Sequence, residues 1–331
     1  MKKILIITDN LPGQINGVVA TYKNIEACAV LDNYQFIYVD PGRFRYFDCP
    51  KYNEVKIAYP RKMGEILEEI NPDHIHIATE GPLGMYARRI LSLRNIRFNT
   101  AYHTRFPEGI KKIIGIPEWM TWKYVRWFHK NSCKVLTTTD TMVSELKAKG
   151  FGSEVIPWTR GVDREIFHPG KRDLSKRVVL VCVSRVSKEK NLEEFFELDM
   201  PGARKIMVGD GPVRAEYEAR YPDVEFVGFK TGHELADYYR MADVFVFPSK
   251  WETFGIVMIE AMACGTPVAA YNCHGPRDVV DQGVTGFMVE EHEGLRVAVD
   301  KCLQINRDDV HRVSQRWSWQ QAWEIFRDNL V

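Results

Sequence analysis

The sequence predicts an α/β protein of two doubly wound, Rossmann-like domains on parallel sheets. Short runs that are apolar on both faces recur along the whole chain, and segments of helical periodicity separate them. The alternation also restarts after a polar stretch near the middle, Phe167-His168-Pro169-Gly170-Lys171-Arg172-Asp173. That break divides a first domain over 1–168 from a second over 174–314. Sheets of this kind bind ligands at the carboxyl ends of their strands, and two of them facing each other leave a cleft.

The strand runs follow in order. In the first half they are Ile4–Thr8, Gln35–Val39, His74–Ala78, Phe98–Tyr102 and Lys134–Thr138. In the second they are Val178–Val183, Lys205–Gly209, Val224–Gly228, Val244–Phe247, Val268–Tyr271 and Gly286–Val289. Met1-Lys2-Lys3 ahead of Ile4–Ile7 has the charge order of a secretion signal, but the apolar run is too short and stops at Thr8-Asp9-Asn10, so it reads as a first strand. The segment Trp317 to Phe326 starts with Ser318 as a helix N-cap and carries a heavy aromatic face, with Trp319, Trp323 and Phe326 as packing residues.

Composition bounds the rest. The 331 residues are 45% hydrophobic and 27% charged, as in a soluble globular protein. A net charge of +1 leaves no global attraction to nucleic acid or an anionic membrane, so any such attraction is local. No segment approaches the ~20 apolar residues of a membrane span. Seven cysteines without a C-x-x-C read as reduced, buried thiols of a cytoplasmic protein.

Two stretches carry chemistry. Ser184-Arg185-Val186-Ser187-Lys188-Glu189-Lys190 follows one apolar run and sets two cations five residues apart. Glu252-Thr253-Phe254-Gly255-Ile256-Val257-Met258-Ile259-Glu260 follows another and opens a helix, expected from Gly255 to Ala263, that Gly265 closes. Taken as one helix, the eight-residue spacing puts Glu252 and Glu260 ~12 Å apart on one side, with unpaired amides between them. Such a cradle suits a molecule that is anionic in its middle and hydroxyl-rich at both ends, as a nucleotide-diphosphate sugar is. Glu252 would face the sugar and Glu260 the ribose. Thr253, Phe254, Gly255 and Ile256 line the turn, and Arg185 and Lys190 add positive charge.

The E-x7-E spacing, the R-x4-K before it and Val208-Gly209-Asp210-Gly211-Pro212 between them resemble retaining glycosyltransferases of family 4, which have the GT-B fold. Gly13-Gln14-Ile15-Asn16-Gly17-Val18 and Ala101-Tyr102-His103-Thr104 are similar to the same family, so the resemblance spans nearly the whole chain. Thr79-Glu80-Gly81-Pro82-Leu83-Gly84 and His103-Thr104-Arg105-Phe106-Pro107 resemble its glycolipid-forming and mannosyl-transferring branch. The resemblance implies retention without a metal or other cofactor. It also implies a terminal helix over 315–331 that crosses back to the first domain, and a histidine, here His103, against the donor sugar.

Each residue also has a plainer reading. Arg185 and Lys190 have Glu189 and Glu193 at helical spacing, a surface pairing worth under about 1 kcal/mol. No D-x-D pair exists to hold a metal on a diphosphate, so cations and helix N-termini must stabilise the departing charge. Gly17 exposes backbone N–H at a helix start. Glu80 and Arg105 are candidate acceptor contacts, and His74 and His76 read as structural. Lys111, Lys112, Lys123, Arg126, Lys130 and Lys134 interleave with Trp119, Trp122, Trp127 and Phe128. This stretch, 105–134, is a core helix, an interfacial patch at the inner face of a membrane, or a nucleic-acid groove. The function expected is hexose transfer from a UDP- or GDP-sugar to a glycolipid, glycan or other alcohol. The rivals are a sugar-nucleotide epimerase, a glycosyltransferase acting on modified nucleic acid, a dinucleotide oxidoreductase and a nucleotide-sugar sensor.

Overall fold

A computed structural model describes residues 1–14, 16–49, 52–171 and 177–331, with backbone alone at 52–55 and 112–114. Ile15 of the first loop, and Arg172, Asp173 and Leu174 at the expected domain break, lie outside the described residues. So does the side chain of Lys112.

The chain forms two compact units, one of Met1–Arg160 with Trp319–Val331, the other of Gly161–Ser318. The division falls before the polar stretch rather than in it. Val162 and Phe167 are the reason, because both are buried in the second unit's core. Arg240 fastens the same segment through the carbonyls of Ile166 and His168, at 2.6 and 3.0 Å.

The first unit holds strands β1 (Lys2–Ile7), β2 (Tyr34–Val39), β3 (Tyr46–Cys49), β4 (Tyr52–Ala58), β5 (His74–Ile77), β6 (Asn99–Tyr102), β7 (Lys134–Thr137) and β8 (Glu154–Pro157). Six of them make a parallel sheet in the order β2-β1-β5-β6-β7-β8, while β3 and β4 pair as an antiparallel hairpin. The hairpin and β8 are additions to the strands expected. In the sequence Pro50 lies between the hairpin's two strands, and proline interrupts any strand pattern. The strand β8 is four residues long, ends in Pro157 and occupies the sheet edge.

The second unit has β9 (Val179–Val183), β10 (Arg204–Val208), β11 (Val224–Gly228), β12 (Val244–Phe247), β13 (Val268–Tyr271) and β14 (Gly286–Val289). They form a parallel sheet in the order β11-β10-β9-β12-β13-β14. The central strands β9, β12 and β13 are buried along their full length, which is why their sequences are unbroken apolar runs. The order reverses between β9 and β12, the position at which open α/β sheets receive ligands.

The terminal helix Trp319–Asp328 packs on the helix Gly17–Leu31 within the first unit. Trp323 and Phe326 are fully buried there, and Trp319 is partly buried. The Trp323 indole N–H donates to Asp32 at 2.7 Å and that of Trp158 to the Ala322 carbonyl at 2.8 Å. Cys182, Cys264 and Cys302 are buried, and the other four cysteines are half-buried; none of the seven is in a disulfide.

Candidate functional site

Beyond the end of β9 the chain runs through Ser184–Lys190 against the loop that follows β10. Ser184 N–H donates to the Val208 carbonyl at 3.1 Å, and Val186 N–H to that of Asp210 at 2.9 Å. A single 3₁₀ turn, Lys188–Lys190, ends at Asn191 in the left-handed region (φ 55). The Asn191 amide ties this turn to the Pro248 carbonyl, just past β12, at 3.3 Å. The two loops flanking the switch point are thereby joined. Lys190 Nζ lies 3.3 Å from Glu252 Oε2, each side chain about one quarter exposed (23%). Arg185 pairs instead with Glu189, the plainer of its two readings.

The turn Pro248–Gly255 departs from the single-helix projection. The helix is Ile256–Ala263, and Gly255 precedes it in a left-handed conformation (φ 86, ψ 69). Glu252 therefore lies in the turn, and the ~12 Å one-sided spacing calculated for a continuous helix does not apply. Glu252 is held from several sides: its Oε1 accepts from Thr253 N–H at 3.1 Å, and Gly255 and Gly275 close on its aliphatic stem. A Cβ at Gly275 (φ 86) would meet Glu252 Cβ at 3.1 Å and Cγ at 3.2 Å. Thr253 and Phe254 are buried, Phe254 in the unit's core, so the first-turn amides begin at Ile256 and Val257. Glu260, one turn into the helix, accepts from the buried Tyr239 hydroxyl at 3.0 Å. Burial pushes its carboxyl up to about 7, and the Tyr239 bond opposes that rise.

In the first unit, Gly17 is exposed at the first turn of its helix, where Asn16 Oδ1 accepts from the N–H groups of Val18 and Val19. His103 follows β6 and is buried. Its Nε2 is 3.0 Å from the Tyr22 hydroxyl, and its Nδ1 accepts from Arg160 at 2.9 Å.

Glu80 and Arg105, the expected acceptor contacts, each have charged or titratable partners within the first unit. Glu80 is buried (5% exposed) with its Oε1 3.4 Å from His129 Nε2. Arg105 is spent on Glu108 at 2.7 Å and Glu145 at 3.1 Å. Asp9, not singled out from sequence, lies near the start of the loop after β1 and accepts from Leu83 N–H at 2.7 Å and Gly84 N–H at 3.3 Å. Burial pushes its carboxyl up to about 6. Thr8-Asp9-Asn10 at a strand end was the available signal. Gly275-Pro276 after β13 was the signal for Gly275.

The stretch 105–134 holds two helices, Phe106–Ile114 and Glu118–His129, and the second, which carries the tryptophans, has two faces. Trp122, Val125 and Phe128 are buried, whereas Trp119, Met120 and Trp127 are exposed by 60%, 47% and 42%. Lys123 and Lys130 share the exposed stripe, with the Lys123 ammonium 4.7 Å from the Trp119 ring centre. A cavity of ≈ 330 Å³ opens beside it, lined by Arg126, Trp127, Lys130 and Phe151. Among the described residues no helix is long and apolar enough to cross a membrane, and no three His, Cys, Asp or Glu side chains are grouped to hold a metal.

Residues 163–317 match the family model described as glycosyl transferases group 1, and residues 21–166 the model of glycosyltransferase family 4. A GDP-mannose-dependent alpha-mannosyltransferase of Mycobacterium tuberculosis is 33% identical over 85% of this chain and 78% of its own. The sulfoquinovosyl transferase SQD2 of Arabidopsis thaliana is 30% identical over 81% of this chain, which spans only 56% of that relative. Two solved structures share the fold. Sucrose-phosphate synthase of Thermosynechococcus elongatus superposes with a TM-score of 0.82 at 17% identity over 99% of both chains. HepE of Anabaena, in complex with UDP and glucose, gives 0.77 at 15% identity, again over 99% of both.

Proposed function

The chain belongs to family 4 of the glycosyltransferases, with the GT-B fold, and from that premise we propose that it is a retaining, metal-independent transferase. It moves a hexose from a UDP- or GDP-sugar to a hydroxyl acceptor. The observation that carries this reading is the Lys190–Glu252 pair, 3.3 Å apart where the second sheet reverses its strand order. A cation, a carboxylate and the amide-bearing start of Ile256–Ala263 follow adjacent strands, matching the alternation of charge and hydroxyl along a nucleotide sugar.

In the reaction the bond from the sugar C1 to the leaving phosphate oxygen breaks, and a C1–O bond to the acceptor forms on the same face. The acceptor proton passes to the departing diphosphate. Lys190, the amides of Ile256 and Val257, and Arg185 once it exchanges Glu189 for phosphate offset the charge growing there. Glu252 orients sugar hydroxyls, and Glu260 accepts from the ribose diol.

The test is a thermal-shift panel of UDP- and GDP-hexoses in EDTA, headed by GDP-mannose because of the matched mannosyltransferases. A ligand at 100 times its dissociation constant adds about 2.7 kcal/mol. Glu260 sharpens the expectation. Its carboxyl is protonated below about pH 7 in the free protein, so a donor that needs the carboxylate must displace a proton there. The donor's shift should be smaller one unit below that pH than one unit above, and Glu260→Gln should remove the difference. No shift from any nucleotide sugar would overturn the reading.

A second observation favours a membrane acceptor. The exposed stripe of Trp119, Met120, Lys123, Trp127 and Lys130 combines apolar and cationic groups as interfacial helices do. We propose that it docks on an anionic bilayer. Vesicles containing phosphatidylglycerol should co-sediment the protein at low salt and release it at high salt, whereas pure phosphatidylcholine should not bind. Lys123→Glu with Lys130→Glu should abolish binding. Co-sedimentation with DNA but not vesicles would reassign the stripe.

A further inference from the structure

Four side chains distant in sequence meet in the first unit as one hydrogen-bonded row. Arg160 Nη2 donates to His103 Nδ1 at 2.9 Å, His103 Nε2 lies 3.0 Å from the Tyr22 hydroxyl, and that hydroxyl lies 2.8 Å from His76 Nε2. A guanidinium can only donate, so His103 Nδ1 is the accepting, unprotonated nitrogen. His103 Nε2 therefore carries the ring's hydrogen and donates it to Tyr22, which donates in turn to His76. Every proton in the row has one direction.

We propose that Arg160, Tyr22 and His76 are positioning residues that hold His103 as a neutral imidazole of fixed tautomer and orientation. The proposal deepens the function proposed above, since it rests on His103 belonging to the reacting site. It also says what His103 is not: with Nδ1 occupied by a cation, the ring takes up no proton and serves neither as general acid nor as general base. The acceptor proton must then go elsewhere, as it does when the leaving diphosphate accepts it.

The surroundings lock the row. Tyr22, His76 and His103 pack about the Trp158 indole, with ring centres 5.7, 6.3 and 5.6 Å away. The Arg160 guanidinium lies 4.6 Å from the same ring and donates to the carbonyls of Trp158 and Thr159 at 2.6 and 3.0 Å. Arg160 is 3% exposed and has no carboxylate partner among the described residues, so its charge faces His103 unopposed. Arg160 and His76 both act on His103 electrostatically, with Tyr22 at bond distance. Burial, then Arg160, then His76 hold His103 well below the ordinary histidine range, and burial takes His76 down to about 3.

The test is the ¹⁵N spectrum of the whole protein, labelled at histidine and free of ligand, followed from about pH 5 to pH 8 across the ordinary histidine range. His103 should stay neutral with its hydrogen on Nε2 throughout. Arg160→Leu should release the ring to titrate, while Arg160→Lys, still a donor to Nδ1, should keep the tautomer. Tyr22→Phe conserves volume, so it reports on the row even should Arg160→Leu fail to fold. It should lower kcat about tenfold, as for one neutral hydrogen bond lost, at unchanged donor KM. A His103 that titrates near its ordinary value in the wild type, an Nδ1–H tautomer, or an unchanged kcat in Tyr22→Phe would overturn the proposal. The spectrum needs no donor. A confirmed tautomer in a protein that transfers no sugar would instead leave this proposal standing and remove the function above.

Discussion

Lys190→Ala should lower turnover ~10²–10³-fold, about 2.7–4 kcal/mol of transition-state stabilisation. The size follows from where the ammonium sits. It is less than one quarter exposed and fixed by the 3₁₀ turn and the Asn191 tether, and its neighbour is a carboxylate rather than bulk water. Charge that is already in place when the diphosphate departs costs no reorganisation at that moment. The loss should fall on kcat and kcat/KM together, because the leaving-group charge is greatest in the transition state. Lys188 is the internal control. It shares the turn but is 71% exposed, with Glu216 at 3.9 Å, and Lys188→Ala should leave the rate unchanged. Comparable losses in both variants would mean a general charge effect, and wild-type turnover in Lys190→Ala would remove the lysine from the site.

Trp323→Ala should destabilise the first unit by about 3–5 kcal/mol, the usual cost of deleting a large buried aromatic side chain. Trp323 is fully buried against Tyr34, Phe36 and Phe326, and its indole N–H is satisfied by Asp32. The substitution removes both the packing and that bond, leaving a cavity between the terminal helix and the sheet. For a unit of this size each kcal/mol moves Tm by ~2–4 °C, so calorimetry should show the first unit's transition roughly 6–20 °C lower. Trp319→Ala, at a partly buried position, should do much less. Equal effects would mean the terminal helix is held along its whole length rather than by Trp323.

Trp323 also illustrates what was legible in the sequence. An aromatic stripe at helical spacing announces a buried face, and unbroken apolar runs announce strands buried on both sides, so the second sheet and five of the six strands of the first could be read directly. Arg185, Lys190, Glu252 and Glu260 stood out because their spacing is local. What could not be read depends on single backbone angles or on distant partners. Gly255 in the left-handed region holds the helix start back to Ile256, so Glu252 falls outside it, and periodicity is blind to such a boundary. Glu80 looks like an exposed loop carboxylate until His129 arrives beside it from another helix. Tyr22, His76 and Arg160 carry no motif, because residues up to 138 positions apart become neighbours only when the sheet assembles. Val162 and Phe167 turned an apparent linker into a core strap for the same reason.

In the proposed reaction, cationic side chains and helix amides, without a metal, stabilise a leaving diphosphate while the sugar is transferred with retention. Retention and metal independence are both read in one ¹H NMR experiment, at the anomeric proton of the product formed from a purified α-linked nucleotide hexose in EDTA. The expected outcome is an α-linked product formed at an undiminished rate. A β-linked product, or turnover that appears only when a divalent cation is restored, would rule this mechanism out.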